Sequence, residues 1–173
     1  MANHDILKSS RLLLRPLLEE DFQGFLELQK DNNKLDWFQS KNDIKKIYQL
    51  IEEDKFNLNN YIFSIILKNV NSFIGICGLE IIETKLRAKI FYALLSDFWG
   101  NGYGYESINC LMKFAFSELS LNEITAHINN GNTRGWKVVE RTGLKYMGQT
   151  NVNNKKIMLF SINKREYLNQ NWY

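Results

Sequence analysis

Tyr92-Ala93-Leu94-Leu95-Ser96-Asp97-Phe98-Trp99-Gly100-Asn101-Gly102-Tyr103-Gly104-Tyr105-Glu106-Ser107 is the stretch that decides the fold. Its first residues are apolar on both faces: Ile90, Tyr92 and Leu94 on one side, Phe91, Ala93 and Leu95 on the other. Such a strand belongs in the interior of a sheet. After the glycines, Ile108, Leu111, Met112, Ala115, Phe116 and Leu119 recur at helical spacing. Three alternating glycines therefore sit between a central strand and a long helix. Glycine lets backbone N–H groups turn inward and approach a ligand, and a helix start presents unpaired N–H groups and a partial positive charge. Together these form a cradle for phosphate. The dinucleotide pattern GxGxxG fails because Tyr105 replaces its third glycine, and the P-loop fails for want of Gly-Lys-Ser/Thr. The spacing fits a loop of the form x-x-x-Gly-x-Gly/Ala.

Upstream, residues 11–16 read as a short strand stopped by Pro16, the only proline. Glu19 to Lys30 and Asn42 to Asp54 read as amphipathic helices. Tyr61 to Leu67, Ser72 to Ile82 and Leu86 to Leu95 read as strands. Downstream, Ile124 to Ile128 alternates as a strand, and Asn132 to Thr142 reads as a helix closed by Gly143. Strands over Leu144 to Gln149 and Ile157 to Ile162 flank the polar turn Asn151 to Asn154. The expectation is an α+β fold, a mixed and mostly antiparallel sheet of about seven strands with helices on both faces. One domain spans 1–173, with 1–9 expected as a mobile tail.

Composition agrees with a single globular domain: 45% hydrophobic, 24% charged and 13% aromatic residues in 173. A formal net charge of +3, with basic residues only in scattered pairs, gives no nucleic-acid footprint. Cys77 and Cys110 form no CxxC pair, so neither zinc nor redox chemistry is expected, and no metal site is assigned. Met1 to Ser10 has no apolar core of a signal peptide, and no run is long enough for a membrane span. The chain reads as cytoplasmic.

The quoted stretch resembles the acetyl-CoA loop of GNAT-type N-acetyltransferases, most of all the branch that acetylates N-termini of ribosomal proteins. Three further stretches are similar to that branch, in the right order. Arg11-Leu12-Leu13-Leu14-Arg15-Pro16-Leu17 with Asp21 resembles its opening strand. Phe114 to Ile124 resembles its helix-to-strand passage. Asn132 through Val138-Val139-Glu140-Arg141-Thr142-Gly143-Leu144 resembles its "Asn … Gly-Phe" segment.

The resemblance implies transfer of acetyl from acetyl-CoA to a primary amine, a protein N-terminus or a small amine, by direct attack on the thioester. The alternative is a non-catalytic acyl-CoA-binding protein. The implied cofactor contacts are Leu94, Leu95 and Ser96 for the pantetheine arm, and Trp99, Gly100, Asn101, Gly102, Tyr103 and Gly104 for the pyrophosphate. Asn132 is a further cofactor contact, or a helix N-cap. A backbone N–H near Leu94 would hold the developing oxyanion. The serine and tyrosine that protonate the leaving thiolate in the family are Gly135 and Val139 here, leaving Tyr103 and Tyr146 as substitutes by residue type alone. Lys89 replaces the branch's strand glutamate, so Glu80 and Glu83 become the candidates for the base. Glu106 reads as a helix-dipole acid, and His127 as a structural or surface histidine. Asp31, Asp36, Trp37 and Phe38 are expected around the acceptor. A homodimer is common among such proteins; neither nucleic acid nor a membrane is an expected partner.

Overall fold

The computed structural model describes residues 6–31, 60–82 and 86–170. Within them the chain builds strands β1 (Leu7–Lys8), β2 (Leu12–Pro16), β3 (Asn60–Leu67), β4 (Ser72–Ile82), β5 (Arg87–Leu94), β6 (Glu123–Asn129), β7 (Lys145–Val152) and β8 (Lys155–Asn163). The helices are α1 (Phe22–Asp31), α2 (Tyr103–Ser117), α3 (Thr133–Arg141) and α4 (Lys164–Leu168). The expected helix over Asn42 to Asp54 lies outside the described residues.

The sheet has eight strands in the order β1-β2-β3-β4-β5-β6-β8-β7. All neighbours are antiparallel except β5 and β6. The strand beyond the expected seven is β1. It pairs Leu7 with Leu14 and Lys8 with Leu13, so these two residues of the tail expected over 1–9 enter the sheet. Two residues of pairing carry no periodicity that a sequence pattern could register. The β7–β8 hairpin turns at Asn153 (φ 49°) and Asn154 (φ 62°), between the paired Val152 and Lys155. Two consecutive left-handed residues make a type I′ turn, which asparagine tolerates better than most residues.

The two faces carry separate cores. On one, Leu17, Phe25 and Leu28 pack on Ile76 and Ala93 beneath α1. On the other, Ile108, Leu111, Met112 and Ala115 of α2 pack on Leu79, Ile90, Leu94, Ile124 and Ala126. The two-sided reading of β5 is therefore correct. A bulge in β4 adjusts its parity: Ile65 faces Gly75 but Ile66 faces Phe73, leaving Ile74 as an extra residue. Hence Phe73 and Ile76 join the α1 core, whereas Ile74, Cys77 and Leu79 join the α2 core.

One buried polar network pins α1 to the sheet. Asp21, 3% exposed, accepts from Arg15 at 2.6 and 2.9 Å, from Ser64 Oγ at 2.6 Å and from the Leu18 N–H at 2.9 Å. A buried carboxylate is tolerated only when satisfied in this way.

Candidate active site

The site is built by a failure of pairing. Strands β5 and β6 run parallel, but pair only at Arg87–Glu123, Ala88–Ile124 and Lys89–Thr125. Beyond those residues β5 continues to Leu94 and β6 to Asn129 while the two diverge, opening a wedge toward their C-terminal ends. On its other edge β5 stays paired with β4 through Leu94, and the Leu95 N–H donates to the Ile74 carbonyl at 2.9 Å. Strand alternation then turns the backbone groups of Leu94 and Tyr92 toward the wedge. There the Leu94 carbonyl accepts the Trp99 indole N–H at 2.8 Å, fastening the loop to the wedge's mouth.

Ser96–Phe98 forms a 3-10 turn, and the chain then passes through Gly100 (φ 79°) and Gly102 (φ 80°) into α2. Such left-handed angles cost a side-chain-bearing residue about 1–2 kcal/mol. Gly102 is the N-cap, and no side chain caps α2. Glu106 is the first residue whose N–H finds a helical acceptor, the Gly102 carbonyl at 3.0 Å. The N–H groups of Tyr103, Gly104 and Tyr105 thus precede the helical ladder and point out of the helix start. Gly104 has a different reason to be glycine: a Cβ there would lie 2.7 Å from Cε2 of Tyr92. The helix start can sit this low on β5 only without a side chain. Burial pushes the Tyr92 phenol up to about 12, against an opposing pull from the Arg134 charge, so it stays protonated.

Three guanidinium groups surround the loop. Arg134 lies over the Trp99 ring at 3.8 Å and Arg141 over Tyr105 at 4.5 Å. Arg11 lies over Tyr103 at 4.6 Å and donates to the Asn101 carbonyl at 3.0 Å. They give the mouth a positive field suited to a polyanion. None was legible in the sequence, because these contacts join residues from the β1–β2 connection, the loop, α2 and α3 with no fixed spacing. Glu106 is also more than a dipole acid. It accepts from the Arg11 N–H at 2.7 Å, Arg11 Nε at 2.7 Å and Ser9 Oγ at 2.8 Å.

Asn132 is the N-cap of α3, its Oδ1 accepting the Gly135 N–H at 2.9 Å. A Cβ at Gly135 would lie 2.5 Å from Asn132 Nδ2, so the carboxamide occupies the space a serine side chain would need. Val139 is 1% exposed in the α2-side core and offers nothing to the wedge. The substitutes named by residue type fare no better. Tyr103 lies beneath Arg11, and Tyr146 stands 51% exposed on β7, with β8 and β6 between it and the wedge.

Glu80 on β4 faces the wedge's base from the α1 side, directly opposite Lys89 of β5, with which it forms an ion pair. His127 lies on the same face, because Ile124 and Ala126 point into the opposite core. Although the residue is exposed, its imidazole is held below the ordinary value. Loss of water is the main cause and the Lys89 charge the next, with Glu80 opposing both. Asp36, Trp37, Phe38 and Glu83 lie outside the described residues, as does the side chain of Asp31.

Residues 11–145 match the family model described as Acetyltransferase (GNAT) domain. The chain is 27% identical over 175 residues to the uncharacterized N-acetyltransferase p20 of Bacillus licheniformis, a match covering 94% of this chain and 98% of that one. An acetyltransferase of the GNAT family from Bacillus anthracis superposes with a TM-score of 0.78 at 19% identity, covering 93% of this chain and 99% of the other. Spermidine N-acetyltransferase from Vibrio cholerae, solved in complex with CoA and spermine, superposes at 0.76 with 22% identity, covering 93% and 100%. At such identities the likeness to solved structures is one of fold.

Proposed function

The chain belongs to the GNAT acetyltransferase family, and from that premise we propose that it transfers acetyl from acetyl-CoA to a primary amine by direct attack of the amine on the thioester. The protein is an acyl-CoA-dependent N-acyltransferase, and acetyl-CoA is its acyl donor. The observation that carries the reading is the β5–β6 wedge, which opens onto an uncapped, glycine-lined helix start.

The chain's own groups divide the work as follows. The N–H groups from Gly100 to Gly104 hold the pyrophosphate, that of Trp99 being spent on the Ser96 carbonyl at 3.1 Å, and Arg11, Arg134 and Arg141 add positive charge at the mouth. The wedge-facing backbone of Leu94, with Ser96 beyond it, receives the pantetheine arm as an added strand edge; Leu95, expected among these contacts, has its N–H engaged by Ile74 and its carbonyl by Phe98. The Leu94 N–H, with that of Tyr92 one alternation deeper, meets the thioester carbonyl and its developing charge. Asn132 contributes Nδ2, its Oδ1 being engaged in the cap. Glu80 gives the acceptor face a carboxylate that attracts a cationic amine, a protein N-terminus or a polyamine among them. The reaction takes place in the cytosol.

Calorimetric titration with acetyl-CoA tests the reading, and one-to-one binding is expected. Gly102→Val forces a β-branched residue into a left-handed angle at the cradle. It should abolish binding while circular dichroism stays unchanged. Undiminished affinity in that folded variant would sink the loop assignment.

A further inference from the structure

We infer that His127 is the general base of this transfer, taking the proton from the acceptor's ammonium group so that the free amine can attack. The inference rests on the acetyl-transfer reading above and adds a residue to it.

The geometry singles out this side chain. Thr125 is the last β6 residue paired with β5, so His127 is the next β6 residue on that face, just past the closed end of the wedge. It faces the α1 side, from which Glu80 and Lys89 also project. Among the described residues the imidazole makes no hydrogen bond, so neither ring nitrogen is committed to a structural partner. The other charged groups of that face are committed. Glu80 is ion-paired with Lys89, and accepting a proton would cost it that pair. Glu123, farther along β6, is held by Arg87 at 2.7 Å and Ser161 Oγ at 2.5 Å.

The groups facing His127 among the described residues are Lys89 from β5 and Glu80 from β4. Its β8 neighbours on that face, Ile157, Leu159 and Ser161, carry no titratable group. Water loss and Lys89 favour the neutral ring, which is the form a base requires. Lys89 thus serves the site electrostatically, holding Glu80 and discouraging a second positive charge beside it.

The step balances as follows. The ammonium gives one proton to an imidazole nitrogen, and the freed lone pair forms the C–N bond to the acetyl carbon. The C–S bond breaks and its electron pair leaves on sulfur. A second proton from nitrogen goes to sulfur, giving the thiol and leaving the amide. The imidazolium then returns its proton to solvent.

The test is steady-state acetylation by the intact enzyme from pH 5 to 9, with acetyl-CoA and spermine, glucosamine or a peptide with a free N-terminus as acceptors. In the wild type, kcat should rise with pH through an ionisation below about 6.5. His127→Ala and His127→Gln should remove that limb and lower kcat/KM at pH 7 by about 100-fold, with acetyl-CoA affinity unchanged. Lys89→Gln should move the limb to higher pH, because a neighbouring positive charge is removed while Glu80 remains. A His127→Ala enzyme that keeps its rate and its limb overturns this inference and leaves the acetyl-transfer reading standing. A wild type that binds acetyl-CoA but acetylates none of the acceptors overturns both.

Discussion

The carboxylate of Glu106 ties the first turn of α2 to the β1–β2 connection by accepting bonds from Ser9 and from Arg11 backbone and side chain. Desolvation raises its pKa, but those bonds and the Arg11 charge outweigh it, and the group sits below its ordinary value. A carboxylate with a depressed folded-state pKa stabilises the fold above its unfolded pKa, and loses that contribution as pH falls through the folded one. Glu106→Gln should therefore cost about 1 kcal/mol at pH 7, allowing for the exposure of Arg11. The difference from wild type should shrink below about pH 4. Urea unfolding at pH 7 and pH 3 measures both arms. The sequence showed an acid in a first helical turn and no more, since its partners lie some ninety residues away in β1–β2. His127 makes the same point. Alternation placed it away from the core, but only the three-residue pairing of β5 with β6 puts it beside the wedge.

At the scale of elements, the legible parts were those with strong periodicity. The helix after the glycines, the two-faced strand before them and the alternating β6 all stand where their patterns put them. Boundaries moved where local chemistry decided. Strand β7 runs on to Val152 because the type I′ turn needs only Asn153 and Asn154. Helix α4 was not anticipated, although Asn163 caps it through the Glu166 N–H at 2.9 Å, because five residues are too few for a periodic signal. Helix α3 offers a prediction about its own cap. Gly135→Ser restores a hydroxyl-bearing residue, yet its Cβ must displace the Asn132 carboxamide. It should lose about 1 kcal/mol of stability with the cap and weaken acetyl-CoA binding, rather than supply a proton donor. Thermal unfolding and calorimetry on one preparation measure both, and undiminished stability or a gain in affinity contradicts this.

At the scale of the whole molecule, the sheet is two antiparallel blocks, β1 to β5 and β6-β8-β7, joined edge to edge by three residue pairs. Helices α2 and α3 bridge the blocks on one face, where Leu111, Met112 and Val139 share a single core with residues of both. The wedge is therefore a ligand slot and also the line along which the sheet is least bonded. A pantetheine arm lying in it would act as a staple between the halves. In hydrogen-exchange terms, wedge-facing amides of β5 and β6 should exchange early in the free protein, by partial separation of the blocks rather than by global unfolding. At acetyl-CoA concentrations about 100 times Kd, an opening that releases the ligand should be suppressed about 100-fold, and protection should spread beyond the contact residues into β8. Slowed exchange confined to the loop would show that the halves already move as one.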